Sequence, residues 1–450
     1  MDKFFRLEQN GTTVKKEVIG GITTFLTMAY IIAVNPMFLE AAGMPKGAVV
    51  TATCLTAAFA TILMGVYANL PFALASGMGL NAYFAYTVCG EMGIHWSVAL
   101  LAVFVEGIIF IILSVTNVRE AVVNAIPKNL KLAVSAGIGL FIAFIGFINS
   151  GIVVGDPATH VSMGDFRSPT VLIALFGVLV IAILEIKKVK GSILWGILSS
   201  SVVAWIYAAF NTETAAGLMI FLPDGIFQFH GLGEIFMAFD TSYLTDISKI
   251  GTLLSIVVVF LFVDFFDTVG TLVGVASKAD MIDKNGKVKN AGKALLVDAV
   301  GTTVGAMVGT STVTTYVESS AGVAEGARTG LASVVTGLLF AAAMFFAPIF
   351  MAIPACATAP ALIVVGFFMM QNIGKIDFTD FTEGFPAFLT IALMPLTYSI
   401  GDGLTYGIMS YGVINVVYNL FQRDPDKKKK VSWVIIILTL LFIAKLLFLH

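Results

Sequence analysis

Uninterrupted apolar runs of about 20 residues recur from one end of this 450-residue chain to the other, and each can cross a bilayer core of ~30 Å. Only 12% of the residues are charged, against roughly 25% in soluble domains, so a water-facing surface cannot be covered. Lipid therefore acts as the solvent of the fold, and every backbone polar group inside it must pair internally. The runs are continuously apolar rather than alternating, which selects helices over a barrel.

Charge and reactive residues exclude several classes. The net charge of −2 carries no basic character for nucleic acid. Cys54, Cys89 and Cys356 lie in or beside apolar segments and suggest neither a disulfide framework nor a metal set. His95, His160, His230 and His450 fall in expected loops or at the terminus, without ligand spacing.

The apolar runs place spans at 18–34, 48–67, 73–89, 94–114, 129–148, 170–186, 191–210, 251–275, 294–309, 312–325, 328–347, 355–371, 385–400 and 402–421. A further apolar run covers 432–449, either a fifteenth span or an interfacial helix. The first run follows Lys3, Arg6, Lys15 and Lys16 and lacks a small-residue cleavage pattern, so it reads as a helix rather than a removed signal. Basic residues mark the cytoplasmic side of a membrane protein. With fourteen spans and a cytoplasmic N-terminus, 22 of the 26 Lys and Arg fall inside, among them Arg119, Lys128, Lys131, Lys187, Lys188, Lys190, Lys278, Lys284, Lys287, Lys289, Lys293, Arg328, Lys375, Arg423 and Lys427–Lys430. Lys46, Arg167 and Lys249 fall outside with the 211–250 loop, which is mostly acidic.

Two short echoes point to an internal repeat. Ala125-Ile126-Pro127 leads to Gly139-Leu140-Phe141, and Ala352-Ile353-Pro354 leads to Gly366-Phe367-Phe368 at the same spacing. Trp195-Gly196-Ile197-Leu198-Ser199 is echoed by Tyr406-Gly407-Ile408-Met409-Ser410. These pairings equate span 5 with 12 and span 7 with 14. A shift of seven spans is odd, so the copies run in opposite senses, as in secondary transporters.

Two segments at equivalent places depart from plain apolar helix. One runs from Asn69-Leu70-Pro71 through Ser76-Gly77-Met78-Gly79-Leu80-Asn81; the other runs from Gly309-Thr310-Ser311-Thr312 through Thr315-Tyr316-Val317-Glu318-Ser319. A shift of 240 superimposes Met78 on Glu318. Each reads as an extended stretch entering a half-helix near mid-membrane, whose free N–H groups and dipole face whatever lies between. Such pairs mark a transporter's binding site; the alternative is two tightly packed re-entrant helices without a ligand.

Acids inside spans are costly and need a partner or a proton. Glu318 opens the second half-helix, either as a ligand-binding acid or as a cap alone. Asp264 and Asp267 lie three apart and share one helix face. Asp267, beside Thr268 and one turn from Thr271, is the stronger candidate for ligand contact, while Asp264 stands open between that role and pairing with a Lys or with backbone. For Glu106 and Asp298 an interhelical hydrogen bond is the favoured reading.

These residues carry a resemblance across essentially the whole chain. The segments Gly20–Tyr30 with Asn35-Pro36, Gly77–Phe84, Asp264–Thr271 and Thr314–Ser319 together resemble the adenine/guanine/hypoxanthine permeases (the AzgA-like group), relatives of the nucleobase–cation and nucleobase–ascorbate symporters. The resemblance implies an all-α polytopic membrane protein of about fourteen spans in a seven-plus-seven inverted repeat, with half-helices at spans 3 and 10. Its core would take 18–114 and 251–347, and its gate 129–210 and 355–421. Residues 1–17 form the cytoplasmic N-terminus, 211–250 the outer loop, and 422–450 a basic tail with the extra apolar run. Glu318 matches the family's purine-binding acid on span 10, Asp267 the acid on span 8, and Asn81 the polar residue on span 3. The expected substrate-contacting set is Glu318, Asp267, Asn81, Thr271, Tyr316, Gly79 and Ser319, with Asp267, Glu318 and Asp264 as proton carriers. The implied activity is import of a purine base by proton symport across the plasma (inner) membrane, with the proton in place of a cofactor, no metal, and a gate-mediated homodimer as a possible assembly. Two rivals are an anion transporter of the same general fold, expected to have a basic or neutral site, and an intramembrane aspartyl protease, which needs aspartates on facing helices.

Overall fold

Backbone groups out of reach of water must find one another, and helices let them do so within a single segment. A computed structural model describes residues 2–116, 127–279, 281 and 288–448. Helices α1 (Val14–Met28), α2 (Ile31–Ala41) and α3 (Lys46–Leu63) come first. Strand β1 (Leu74–Ser76) then enters the five-residue helix α4 (Met78–Ala82), followed by α5 (Trp96–Val115). Helix α6 (Lys128–Ser150) leads through the hairpin β2 (Val153–Asp156) and β3 (His160–Met163) to α7 (Pro169–Ile186) and α8 (Ser192–Phe210). The second half holds α9 (Ile247–Lys278), α10 (Ala291–Val308), β4 (Val313–Thr315) and α11 (Ser319–Ala324). It closes with α12 (Gly330–Ala343), α13 (Ala355–Met370), α14 (Phe381–Leu396), α15 (Ile400–Phe421) and α16 (Trp433–Phe448).

Among the described residues, nine helices are long and apolar enough to cross a membrane. Five expected spans fall outside those nine for separate reasons. Segments 73–89 and 312–325 are interrupted by β1 and β4. Helices α12 and α14 are apolar but have only 14 and 16 residues. Helix α15 has 22 residues, but Gly401, Asp402, Gly403, Thr405 and Gly407 dilute its apolar character. Arg119, Ala125, Ile126, Lys284, Lys287, Leu449 and His450, which enter the topology and repeat readings, lie outside the described residues.

The helices sort by contact into two sets. In one, α12 packs on α1 and α3, α10 and α9 on α5, and α11 on α1. In the other, α6 packs on α13 and α14, α7 and α8 on each other and on α13, and α15 on α14. Outward positions are apolar: Leu179, Ile206, Leu338, Phe388 and Leu420 are each more than half exposed, as a lipid-facing surface requires.

Close helix approach in a membrane depends on small side chains. Pro127 and Pro354 stand just before the first turns of α6 and α13. Farther along, Gly139 and Gly366 meet face to face: a Cβ on Gly139 would lie 2.7 Å from the Gly366 carbonyl oxygen, and one on Gly366 would collide with the Gly139 carbonyl. The two glycines that the sequence echo equates are thus in mutual contact. At the other helix set, the fully buried Glu17 accepts the N–H groups of Arg328 (2.7 Å), Thr329 (3.2 Å) and Ala332 (3.1 Å), closing the start of α12.

Two stability outcomes follow. Gly366→Leu forces α6 and α13 apart and should cost about 1–3 kcal/mol or more, as over-packing does; the check is the melting temperature of the purified protein in detergent, and an unchanged value contradicts the contact. Glu17→Ala strands three N–H donors at the start of α12 and should lower the same melting temperature through a penalty of about 1–3 kcal/mol per unsatisfied group.

Candidate functional site

Helix α3 passes through a π-helical turn (Met64–Ala68) and stops at Asn69, whose φ of 51° is left-handed. Pro71 then has no N–H with which to continue a helix. Helix α10 stops at Gly309, with φ of 101°, and the β-branched run that follows prefers extended backbone. Both chains therefore run extended through the interior and must pair with something. They pair with each other: β1 and β4 form an antiparallel ladder with Leu74 opposite Thr315, Ala75 opposite Thr314 and Ser76 opposite Val313. Gly77 N–H donates to Thr312 C=O at 3.0 Å and Tyr316 N–H to Ala73 C=O at 2.9 Å, extending the ladder at both ends.

Two threonines close the outer edges. The Thr61 hydroxyl accepts from Leu74 N–H (2.9 Å) and donates to Leu74 C=O (3.0 Å). The Thr302 hydroxyl does the same for Val313, at 3.2 and 3.0 Å. Helices α4 and α11 begin just beyond the crossing, so their positive N-terminal ends face back toward it.

Glu318 stands at the entry to α11. One of its carboxylate oxygens, Oε1, accepts a 2.6 Å hydrogen bond from the Tyr30 hydroxyl, and its carbonyl accepts a 3.4 Å bond from the Thr27 hydroxyl. Asp267 on α9 hydrogen-bonds Thr314 of β4 and lies near enough to Glu318 for their charges to interact. Both acids are half-buried, whereas Asn81, Asp264 and Ser319 are sealed.

The other expected residues take distinct places. Asn81 accepts a short hydrogen bond from Ser311 at its Oδ1, while its buried Nδ2 has no hydrogen-bond partner among the described residues. The Ser319 hydroxyl accepts from Ala73 N–H at 2.9 Å, and the Tyr316 hydroxyl donates to Ser76 C=O; both fasten the crossing. Gly79 faces α6, where a Cβ would meet Ile138 at 2.7 Å. Thr271 lies half-buried one turn beyond Asp267. Asp264 and Asp267 bond different threonines: the Thr268 hydroxyl lies 3.0 Å from Asp264 and 3.1 Å from Asp298, joining α9 to α10, and Asp298 is also near enough to Asp267 for their charges to interact. The sequence leaves Asp264 open between ligand contact and structural pairing; the Thr268 hydroxyl is one partner it has. Glu106 on α5 accepts from Thr312 at 2.7 Å, so this bond runs from a helix to the extended stretch before β4 rather than between two helices.

Tyr30, Thr61 and Thr302 were assigned no role from sequence. Tyr30 sits where α1 gives way to α2 without a Gly or Pro to announce the break. Among the described residues no group of three His, Cys, Asp or Glu is placed to hold a metal ion. A cleft of about 440 Å³ between Phe227–Phe229 and Phe345–Phe346 is aromatic and contains none of these acids.

The Permease family model (Xan_ur_permease) matches residues 15–404. The guanine/hypoxanthine permease PbuG of Bacillus subtilis is 44% identical over 92% of this chain and 94% of its own. The adenine permease AdeQ of Escherichia coli is 41% identical over 92% of this chain and 90% of its own. Among solved structures, the transmembrane domain of a cyanobacterial bicarbonate transporter, BicA, superimposes with a TM-score of 0.62 at 14% identity, covering 87% of this chain and 97% of that one; this likeness concerns the fold alone. A multi-pass helical membrane protein with paired helix breaks and two accessible acids between them, the chain belongs to the Permease family of the nucleobase–ascorbate transporters and is a transporter rather than an enzyme.

Proposed function

We propose that this protein imports purine nucleobases by proton symport, with the base bound between Glu318 and Asp267 where the two half-helices begin. The observation that carries this reading is the meeting of two accessible carboxylates at the crossing of β1 and β4. A purine is planar, polar at its edges and nearly uncharged, and it suits an apolar slot with a few fixed donors and acceptors. Glu318 and Asp267 accept ring or amino N–H groups. Asn81 Nδ2, buried in this arrangement, donates to a carbonyl or ring nitrogen of the base once the crossing opens to it. Tyr316, Ser319, Gly79 and Thr271 shape the walls. Relatives named as guanine/hypoxanthine and adenine permeases supply the substrate class.

A carboxylate kept in a membrane interior needs a partner or a proton. Asp267 carries that proton in this account, and its release inside loosens the base. Asp264, bonded to Thr268, is the lesser proton carrier. Fourteen spans in a seven-plus-seven inverted repeat, with the N-terminus inside, give the framework. Three features support the repeat: the antiparallel pairing of segments 240 residues apart, the matching Thr61 and Thr302 clamps, and the contact between Gly139 and Gly366. Core helices α1–α5 and α9–α12 then move against gate helices α6–α8 and α13–α15, and the bound base shifts the balance through its different affinity for the two arrangements.

Uptake of radiolabelled hypoxanthine and adenine into cells lacking purine transport tests the proposal. Glu318→Gln and Asp267→Asn should each reduce kcat/KM about 10–100-fold, the range for losing a hydrogen bond to a charged group. Full uptake by both variants removes the site. Uptake that ignores the proton gradient removes the coupling.

A further inference from the structure

The Tyr30 ring is one of the largest fully buried side chains of the protein, 1% exposed. A buried phenol needs a partner for its O–H, and here the partner is the acid with remaining access to the outside. The bond, at 2.6 Å, lies in the short range of hydroxyl–carboxylate pairs. Tyr30 reaches it from the two-residue turn, Ala29 and Tyr30, that joins α1 to α2 with the backbone still in right-handed helical conformation. Just before that turn, Thr27 meets the main-chain carbonyl of Glu318. One short segment therefore holds both the side chain and the backbone of the acid at the half-helix entry. The titratable groups that face Glu318 are Tyr30 from this turn, Tyr316 from its own segment and Asp267 from α9.

We propose that Tyr30 is a positioning residue for the substrate: it fixes Oε1 of Glu318 as an acceptor and so presents the rest of the carboxylate, in one orientation, to the purine edge. The assignment rests on the purine reading above. A glutamate side chain has three torsions to order when a ligand binds, and that ordering weakens binding. Tyrosine has only two, and here burial locks them. Because Oε1 accepts from Tyr30, a proton visiting this carboxyl resides on the other oxygen, on the ligand's side of the pair.

The test is equilibrium binding and initial-rate uptake of radiolabelled hypoxanthine by the full chain as wild type, Tyr30→Phe, Glu318→Gln and the double variant, with protein amount normalised by size-exclusion. Tyr30→Phe should raise Kd and KM about tenfold, the loss of one charge-assisted hydrogen bond, with the maximal rate per folded protein nearly unchanged. On the Glu318→Gln background it should add less than twofold. If that background binds too weakly to measure, Glu318→Asp replaces it, keeping the charge but withdrawing the carboxylate from the phenol. An unchanged KM, or losses that multiply in the double variant, overturns the role of Tyr30 while leaving the purine site standing. A wild type that binds no purine overturns the functional reading itself, and the assignment falls with it.

Discussion

Extended backbone in the interior of a membrane protein survives only if its N–H and C=O groups are paired, since no water is there to take them. Here two such stretches satisfy each other. The ladder between Leu74–Ser76 and Val313–Thr315 is three residues long on each side, and Thr61 and Thr302 take the backbone groups of Leu74 and Val313 that face away from it. Without that pairing neither half-helix could begin where it does. Glu318 would lose its place at a helix entry, and Asp267 its contact with Thr314.

The crossing also separates two kinds of polar residue. Asp264, Asp298, Glu106, Ser319 and the Tyr316 hydroxyl take part in hydrogen bonds that join elements, and none of these residues is more than 6% exposed. Glu318 and Asp267 sit at the same crossing yet keep accessible surface. Acids of the first kind set where helices lie. Those of the second kind are the ones to which the proposed function gives a ligand and a proton. The likeness to a bicarbonate transporter domain shows that this scaffold serves other solutes, so substrate follows from the side chains at the crossing rather than from the architecture.

Much of this was legible in the chain. Apolar runs gave the membrane and most helices. Pro71, Gly77, Gly309 and the Thr-rich stretch gave the two breaks, because those residues either cannot continue a helix or prefer extended backbone. Glu318 and Asp267 stood out as charges in apolar surroundings. What stayed hidden has a common cause. The turn at Ala29–Tyr30 carries no Gly or Pro. Tyr30, Thr61 and Thr302 look like ordinary membrane residues until their partners, between 11 and 288 positions away, are in place. The different partners of Asp264 and Asp267 were also unreadable, since three residues apart predicts a shared face and only the neighbours of α9 decide what each one meets.

The central claim is that a purine sits between Glu318 and Asp267 at the mouths of the two half-helices. An experimental density map of the purified protein saturated with hypoxanthine or adenine tests it most directly. The account predicts planar density within hydrogen-bond distance of both carboxyl groups and of the Asn81 amide. Ligand density elsewhere, such as the aromatic cleft at Phe227–Phe229, with the two acids packed shut, would contradict it.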